Sequence, residues 1–307
     1  MRMRLSRRRK PSSVTGSVRP TRRVAAAGRC MERMQRVVIV GAGRLGMIVG
    51  SGIKRGVPDV ELRFVDATPE GRERARDRLR AEADEVYEPA SGDLTLLTLP
   101  PHAFPAFAAT QDPHAVSGAT VVSLMAGVRL AALTGGLRSR QVIRAMTNIA
   151  AQVGQAVTVL APDPSLTPRG LALAEHILSG VGSVVTVADE DTLDSATAVV
   201  GGGTAIVAYF ADALVTAATD GGFSSGQART IALALLTGTA GLVERLNTTP
   251  AEVYKPVLTP GGTTVEGLEL LEAQHWQDVL RAALEKAGAR SRAIGAEVEG
   301  LMDGSRE

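Results

Sequence analysis

The sequence has very little cysteine and histidine. Cys30 is the single cysteine among 307 residues, which excludes a disulfide framework and any cysteine-rich metal site. Only four histidines are present, and no two of them stand at a spacing typical of metal ligands. We therefore predict neither a zinc enzyme nor any other metal site. With 45% hydrophobic and 21% charged residues, the composition is otherwise that of an ordinary globular protein.

Long uninterrupted hydrophobic runs are missing as well. The most apolar window, 195–211, is bounded by Asp194 and Asp212 and contains three consecutive glycines. It is shorter than the roughly 20 residues that a membrane-spanning helix needs. The amino-terminal segment has no apolar stretch of the roughly 7–15 residues found in a secretory signal peptide. We therefore expect a cytoplasmic protein with no membrane partner.

Positive charge is concentrated at the amino terminus. Residues 1–36 hold 12 of the 34 basic residues and one acid, Glu32, which leaves a net charge of about −9 on the rest of the chain. Since the basic residues do not lie on the predicted folded part, we expect no nucleic-acid partner. Residues 1–35 are predicted to be a basic disordered tail or the product of a start codon assigned too far upstream, although they also resemble an organelle transit peptide.

A glycine-rich turn follows the first predicted strand. Residues 36–40 form the short apolar run expected of a central parallel strand, and 47–55 form a helix-compatible stretch. The G-x-G-x-x-G turn between them permits a tight bend, close approach of a pyrophosphate and close helix packing at its three glycines in turn. Free N–H groups and the helix dipole would hold the phosphates. The predicted cofactor-binding residues here are Gly41, Gly43, Arg44, Leu45 and Gly46.

Asp66 ends the second predicted strand, 61–66. A carboxylate at this place would bind the two ribose hydroxyls of NAD and repel the 2′-phosphate of NADP. The alternative is a helix-capping role ahead of Pro69. Arg72 and Arg74 could instead turn toward a phosphate. The sequence therefore predicts NADH or NADPH as the cofactor, with NADH favoured.

Further strands are predicted at 94–99, 120–125, 141–145, 157–160 and 184–187. Helical or turn-rich segments separate most of them, so we predict an α/β fold with an N-terminal Rossmann-type parallel sheet over 36–188. The carboxyl ends of parallel strands meet at one edge of an open sheet, where ligands bind. We therefore predict that a crevice beside Gly43 contains Thr98, Leu99, Pro100 and Ser123 as further cofactor-binding residues.

The strand pattern disappears after Asp191. Stretches rich in Ala, Leu and Val at 191–220, 225–247 and 275–299 predict helices, separated by glycine and proline. The first is apolar on nearly all sides and has to be buried, which a small domain cannot do alone. We therefore predict an all-helical dimerisation and substrate domain over 189–302, in a homodimer or a higher oligomer.

Three stretches, taken in order, resemble the pyrroline-5-carboxylate reductases. Ala-Met-Thr-Asn at 145–148, followed by Val153-Gly154, is similar to the Met-Pro-Asn segment of that family. The run 200–205 occupies the place of its Gly-Ser-Gly-Pro-Ala turn. The run 258–264 nearly repeats its Pro-Gly-Gly-Thr-Thr signature, and the resemblance extends over about 36–299.

The resemblance implies hydride transfer from NAD(P)H to the C=N carbon of a small cyclic imino acid, chiefly 1-pyrroline-5-carboxylate, which would give L-proline. It also implies that the substrate carboxylate lies on the Gly-Thr-Thr loop. Independently, successive N–H groups and two hydroxyls at a helix start form an anion site that needs no arginine. Thr263 and Thr264 are the predicted catalytic residues, which contact the carboxylate or the ring nitrogen. The predicted substrate-binding residues are Asn148, Gly202, Thr204, Gly261, Gly262, Thr263 and Thr264.

The chain also departs from the family pattern. Gly202 replaces a serine, Thr204 and Thr147 each replace a proline, and Leu99 replaces a lysine. These departures leave two alternatives open: a paralogue that reduces a related cyclic imine in a secondary pathway, and a reductase-like protein that binds NAD(P) without turnover. A β-hydroxyacid dehydrogenase is less favoured, because Lys255 lies on a short segment rather than on a long helix.

Overall fold

A computed structural model of the chain describes residues 35–304. The predicted tail, 1–35, lies outside the described residues except for Gln35, which begins the first strand.

The described residues form one sheet of eight strands in the order β3-β2-β1-β4-β5-β6-β7-β8. The chain runs outward from β1 to β3 and then returns to place β4 on the other side of β1. Such a reversal opens a crevice between the carboxyl ends of β1 and β4. The strands are β1 Gln35–Val40, β2 Val60–Val65, β3 Glu82–Asp84, β4 Leu94–Leu97, β5 Thr120–Ser123, β6 Val142–Met146, β7 Ala156–Pro162 and β8 Gly182–Thr186.

The sheet is parallel from β3 to β6, and the last two strands run in the opposite direction. In the antiparallel pair, Ile143 of β6 lies opposite Pro162 of β7, whereas β7 and β8 are parallel to each other. The connection 147–155 contains only a short 3-10 turn, Ile149–Val153. A parallel crossover needs a dozen or more residues, so this short connection forces the reversal. The predicted α/β fold is confirmed, with a mostly parallel rather than fully parallel sheet.

Helices cover both faces of the sheet. Alternate residues of β1 point to opposite sides, so Val37 and Ile39 join one core while Val38 and Val40 join the other. The helices of this part are α1 Arg44–Gly56, α2 Pro69–Leu79, α3 Phe104–Ala109, α4 Pro113–Ser117, α5 Leu130–Leu137 and α6 Pro168–Ser179. Residues of α1 and α6 pack in the first core, and residues of α3 and α5 pack in the second.

The remainder of the described chain is helical. A π-helical turn, Thr197–Gly201, interrupts the first predicted helix, and the 29-residue last helix brings Val298 back to the second core of the sheet. The division of the chain at 188–189 stays a prediction. The helices are α7 Glu190–Ala196, α8 Gly203–Asp220, α9 Ser225–Arg245, α10 Pro250–Tyr254, α11 Thr263–Ala273 and α12 Trp276–Gly304.

Helices α8 and α9 expose large apolar side chains. Tyr209 is 80% exposed, and Val207, Phe210 and Leu235 are each more than half exposed. The stretch Glu190–Asp220 is long and apolar enough to cross a membrane by length and composition, which is weak evidence for one such helix. The predicted dimer also requires an exposed apolar surface of this kind on each protomer.

Candidate cofactor and substrate site

The three glycines of the turn 41–46 play different parts. Gly41 has a φ of +104°, which favours glycine, and a Cβ at Gly46 would lie 2.0 Å from the carbonyl oxygen of Gly41. The fold itself therefore requires both. A Cβ at Gly43, in contrast, would meet nothing within 4 Å. The second glycine thus leaves open space at the surface of the turn.

The amino terminus of α1 begins at this open surface. Gly43 is its N-cap residue, no side chain caps the helix, and its first turn contains no acidic residue. Backbone N–H groups at such a helix start have no partner within the helix, and the helix dipole is positive there. These residues therefore fit the diphosphate of a dinucleotide.

Thr98 fastens the end of β4 to the glycine turn. Its hydroxyl donates to the carbonyl oxygens of Gly41, at 2.7 Å, and Val40, at 3.0 Å. Its side chain therefore supports the turn instead of facing the crevice. Ser123 is fully buried, and its hydroxyl accepts a 3.4 Å hydrogen bond from the N–H of Met125, so side-chain contact with a cofactor would require a local rearrangement. Leu99 is half-buried and Pro100 is exposed.

A cavity of about 540 Å³ lies at the carboxyl ends of β1 and β2. Its size is within the range of small-molecule sites, roughly 300–1,000 Å³. Tyr87 and Phe107 contribute aromatic rings 5.6 Å apart to its wall, beside Asp66 and Leu99. Burial raises the pKa of Tyr87, whose hydroxyl bonds to that of Thr95 at 2.7 Å. Apart from the carboxylates of Asp66 and Glu85, the wall is largely apolar, and its aromatic part suits a flat ring such as adenine.

Asp66 is bonded to the turns on both sides of it. Its carboxylate accepts hydrogen bonds from the N–H of Ala42 at 2.7 Å and from the N–H and hydroxyl of Thr68 at 2.9 and 2.6 Å. Partial burial opposes its ionisation, but the bonds from Thr68 and Ala42 and the nearby Arg74 outweigh that effect and lower the pKa of Asp66. The carboxylate is therefore ionised at the edge of the crevice. The cap of α2 is Thr68, whose hydroxyl accepts a hydrogen bond from the N–H of Gly71 at 3.1 Å, so Asp66 supports the capping residue and does not itself cap the helix.

This lowered pKa predicts a contribution of Asp66 to stability that depends on pH. A carboxyl group with a depressed pKa stabilises the fold above its unfolded pKa of about 3.9, and the contribution is lost as the pH falls toward the folded value. The free energy of unfolding of Asp66→Asn should therefore be lower than that of wild type at pH 7, and this difference should shrink below about pH 4. Urea unfolding at a series of pH values measures it; a difference that does not change with pH would contradict the expectation.

Arginines border the glycine turn on the other side of α1. Arg44, Arg74 and Arg78 line a groove of about 550 Å³ that also includes Gly43. The guanidinium of Arg74 donates to the carbonyl oxygen of Ala42 at 2.7 Å, and that of Arg72 donates to the carbonyl oxygen of Asp66 at 2.8 Å. Both arginines that could turn toward a phosphate are thus bonded to backbone near the crevice.

The third cavity is a groove of about 990 Å³ between the end of β6 and helices α8 and α9. Asn148, Gly203 and Thr204 line it, so two predicted substrate residues come together there. The side-chain oxygen of Asn148 accepts a hydrogen bond from the N–H of Ala150 at 3.1 Å and caps the following 3-10 turn. The rest of the lining is mainly apolar and comes from the exposed helices.

Two departures from the family pattern have visible local consequences. The hydroxyl of Thr147 bonds to that of Thr158 at 2.9 Å in the interior, so this threonine joins β6 to β7. A Cβ at Gly202 would lie 3.0 Å from the carbonyl oxygen of Ala198, whereas one at Gly203 would meet nothing within 4 Å. Free space beside the groove therefore lies at Gly203, the first residue of α8, and not at Gly202.

Thr263 and Thr264 are exposed at the start of α11. Gly262 is the N-cap residue and no side chain caps this helix, while Gly261 has a φ of +71°. Helix α11 packs on α12, and the two threonines do not line any of the three cavities described above. Within one protomer, the structure thus places Asn148 and Thr204 together but not with the threonine pair.

The sequence patterns did not lead us to predict a buried charge cluster between β6 and α7. Arg144 of β6 is 1% exposed and pairs with Glu190 and Asp194 of α7. A charged residue inside a buried apolar strand was the available signal, because such a residue needs a partner. Among the described residues, no group of three or more His, Cys, Asp or Glu side chains is arranged to hold a metal ion.

Comparison with known proteins identifies the family of this chain. A family model for pyrroline-5-carboxylate reductase dimerisation matches residues 190–294. The pyrroline-5-carboxylate reductase of Thermus thermophilus is 32% identical over 272 residues, which cover 85% of this chain and 98% of that protein. That of Synechocystis sp. is 39% identical over 179 residues, which cover 57% of this chain and 65%, slightly less than two thirds, of that protein.

A solved structure shares the fold. The pyrroline carboxylate reductase of Plasmodium falciparum, with NADP bound, matches with a TM-score of 0.74 and 18% identity, over 85% of this chain and 99% of that chain.

The dimerisation model covers the exposed helices α8 and α9, which confirms that this chain associates with itself. Because the match with the Thermus protein extends over nearly its whole length, the chain belongs to the pyrroline-5-carboxylate reductase family.

Proposed function

We propose that this protein reduces 1-pyrroline-5-carboxylate to L-proline with NADH or NADPH. The observation that carries the proposal is the 32% identity to the Thermus reductase over 98% of its length. The open surface at Gly43 and the uncapped start of α1 support it, since they leave room and N–H donors for a dinucleotide. The substrates are soluble small molecules, so we propose a cytoplasmic enzyme.

We assign the cofactor to the crevice at the carboxyl ends of β1, β2 and β4. The diphosphate would lie on the N–H groups of residues 43–46, and the adenosine would lie between Asp66 and Leu99. When bound, the nicotinamide supplies the hydride. The task of the chain is to bind and orient both reactants and to keep water from the reacting atoms.

The substrate carboxylate is assigned to the start of α11. There, the N–H groups that follow Gly261 and Gly262 and the hydroxyls of Thr263 and Thr264 would hold it. Asn148 and Thr204 would face the imine ring from the groove, and Gly202 would contribute through the turn that leads to Gly203 and Thr204. Because α11 does not contribute to that groove within one protomer, we propose that the threonine loop of a second copy completes the site.

We propose a preference for NADH that depends on Asp66. If its carboxylate binds the ribose hydroxyls, Asp66→Ala should reduce the ratio of kcat/KM for NADH to that for NADPH by about tenfold, the loss of roughly one charged hydrogen bond. Steady-state assays with each cofactor measure the ratio. Thr167→Ala is the matched control, because it removes the cap of α6 outside the crevice and should leave the ratio unchanged. An unchanged ratio in Asp66→Ala would leave Asp66 with only its structural hydrogen bonds to Ala42 and Thr68.

The reaction itself is tested with purified protein and 1-pyrroline-5-carboxylate, by following the absorbance of NADH and of NADPH. The expected result is stoichiometric oxidation of the cofactor and formation of proline, with rescue of a bacterial proline auxotroph as the cellular counterpart. Cofactor binding without oxidation in the presence of any cyclic imine would favour the non-catalytic alternative instead.

A related cyclic imine is a second candidate substrate. The free space at Gly203 favours it, because this residue lines the groove and leaves room there for a larger ring. The same assay with a six-membered imine carboxylate decides between the two. A higher kcat/KM for the larger ring would identify it as the better substrate.

A further inference from the structure

Four charged side chains meet next to the groove. One guanidinium nitrogen of Arg144 lies 2.9 Å from Oε1 of Glu190, and the other lies 2.5 Å from Oδ1 of Asp194. Arg129 approaches the second oxygens of the same two carboxylates, at 3.6 and 3.4 Å. The N–H of Leu130 also donates to Glu190 at 2.7 Å. Two cations thus meet two anions that lie one turn apart on α7, and Arg129 makes its shortest ion pair, at 2.8 Å, with a third carboxylate, the exposed Asp191.

The centre of this cluster is buried, where charges are costly, while Arg129 is 39% exposed. The side chain of Arg144 is 1% exposed and that of Asp194 is 8% exposed. A buried ion pair adds little stability compared with apolar residues of the same volume, because desolvation offsets the attraction. Such a cluster provides a defined geometry instead, because separating one charge from its partner would leave the other buried and unpaired. Stability alone therefore gives little physical reason for this arrangement.

The four residues join three segments that lead to the proposed site. Arg144 is four residues before Asn148 on the same strand and its extension. Arg129 follows the turn that leaves the carboxyl end of β5. Glu190 and Asp194 belong to α7, which continues through the π-helical turn to Gly202 and Thr204. None of the four lines the groove, so any effect on the reaction must act through its neighbours.

We propose that Arg144 is a positioning residue, which holds the Asn148 segment and the Gly202–Thr204 turn at a set distance through Asp194 and Glu190. This inference rests on the proposed reductase function, because it assigns the imine to the groove between those two segments. Arg144 binds two carboxylates at once with a planar fork, which a lysine ammonium cannot reproduce. Loss of that geometry should misplace the imine while the glycine turn and the cofactor crevice stay as they are.

The experiment compares Arg144→Lys and Asp194→Asn with wild type in the full-length protein. The KM for the imine should rise on the order of 10- to 100-fold, as for a small misplacement of a reacting group, while the Kd for NAD(P)H stays within about twofold. Arg36→Lys is the matched control. It alters another ion pair, with Asp93, at the amino ends of β1 and β4, and should lower Tm without a change in the KM for the imine.

Hydrogen exchange provides a readout that does not require turnover. Amide exchange at 147–150 and 197–204 should become faster in both variants and remain unchanged in Arg36→Lys. If Arg144→Lys fails to fold, Arg129→Gln takes its place, because that side chain is 39% exposed and tolerates change. A lower Tm with an unchanged KM and unchanged local exchange would overturn the inference. A wild-type protein that turns over no imine would instead overturn the proposed function, and the exchange data would still test the role of Arg144.

Discussion

Replacing Gly43 with valine should abolish cofactor binding and leave the protein folded. A Cβ at this position meets nothing within 4 Å, and the backbone has a φ of −71°, so the protein accommodates a side chain without strain. The same side chain would occupy the surface where the diphosphate has to approach the N–H groups of α1. Loss of two charged hydrogen bonds at about 1.5–3 kcal/mol each should weaken NAD(P)H binding by roughly 100-fold or more.

Fluorescence titration with NAD(P)H measures the Kd of the cofactor, and thermal unfolding measures the Tm of the folded protein. Gly46→Val is the matched control, because its Cβ would lie 2.0 Å from the carbonyl oxygen of Gly41 and must disturb the turn. We expect a lower Tm for that variant and an unchanged Tm for Gly43→Val. Wild-type affinity in Gly43→Val would remove the proposed diphosphate site.

Removal of both hydroxyls at the start of α11 should weaken imine binding specifically. In Thr263→Ala/Thr264→Ala the backbone N–H groups remain, but two hydroxyl donors to a carboxylate are lost. Hydrogen bonds to charged groups contribute about 1.5–3 kcal/mol each, so the loss of two should raise the KM for the imine roughly 100-fold or more, while the KM for NAD(P)H stays unchanged. Steady-state kinetics with each substrate varied in turn measure both constants.

A second threonine pair in the same helical region provides the control. Thr248 and Thr249 bond to the carboxylate of Glu252 and cap α10. Their double alanine variant should lose some stability and keep the KM for the imine. If the imine KM also stays at the wild-type value in Thr263→Ala/Thr264→Ala, the proposed carboxylate site is wrong.

Mixing two inactive variants tests whether the site is shared between protomers. If Gly43 of one copy faces the threonine pair of another, a mixed dimer of Gly43→Val and Thr263→Ala/Thr264→Ala chains contains one site with neither defect. Co-refolding the two should then restore activity to about a quarter of wild type, as half of the dimers are mixed and each has one of two sites intact. No recovery would place both loops of a site on the same protomer.

The sequence was most informative about the first half of the chain. The apolar run 36–40 and the glycine turn are local patterns, and strand β1 and helix α1 occupy those places. It missed β3, a three-residue edge strand with two charged residues, because so short a segment shows no periodicity. It also placed Thr98 and Ser123 as cofactor contacts, where the structure shows one bonded to the turn and the other fully buried. Which face of a strand end a side chain occupies depends on register and not on composition.

Local sequence by itself determined the nucleotide turn, the helix starts and the family signature, because each depends on residues close together in the chain. Only the tertiary structure decided the reversal of β7, the bonds that hold Asp66 and the pairing of Arg144 with α7. The pairs of β6 and β7 lie 13 to 19 positions apart, the bond from Ala42 to Asp66 joins residues 24 apart, and the pair of Arg144 with Asp194 joins residues 50 apart. Their free energy comes from desolvation and geometry that no local pattern records. The separation of the threonine pair from the groove belongs with them, because it depends on how whole helices pack.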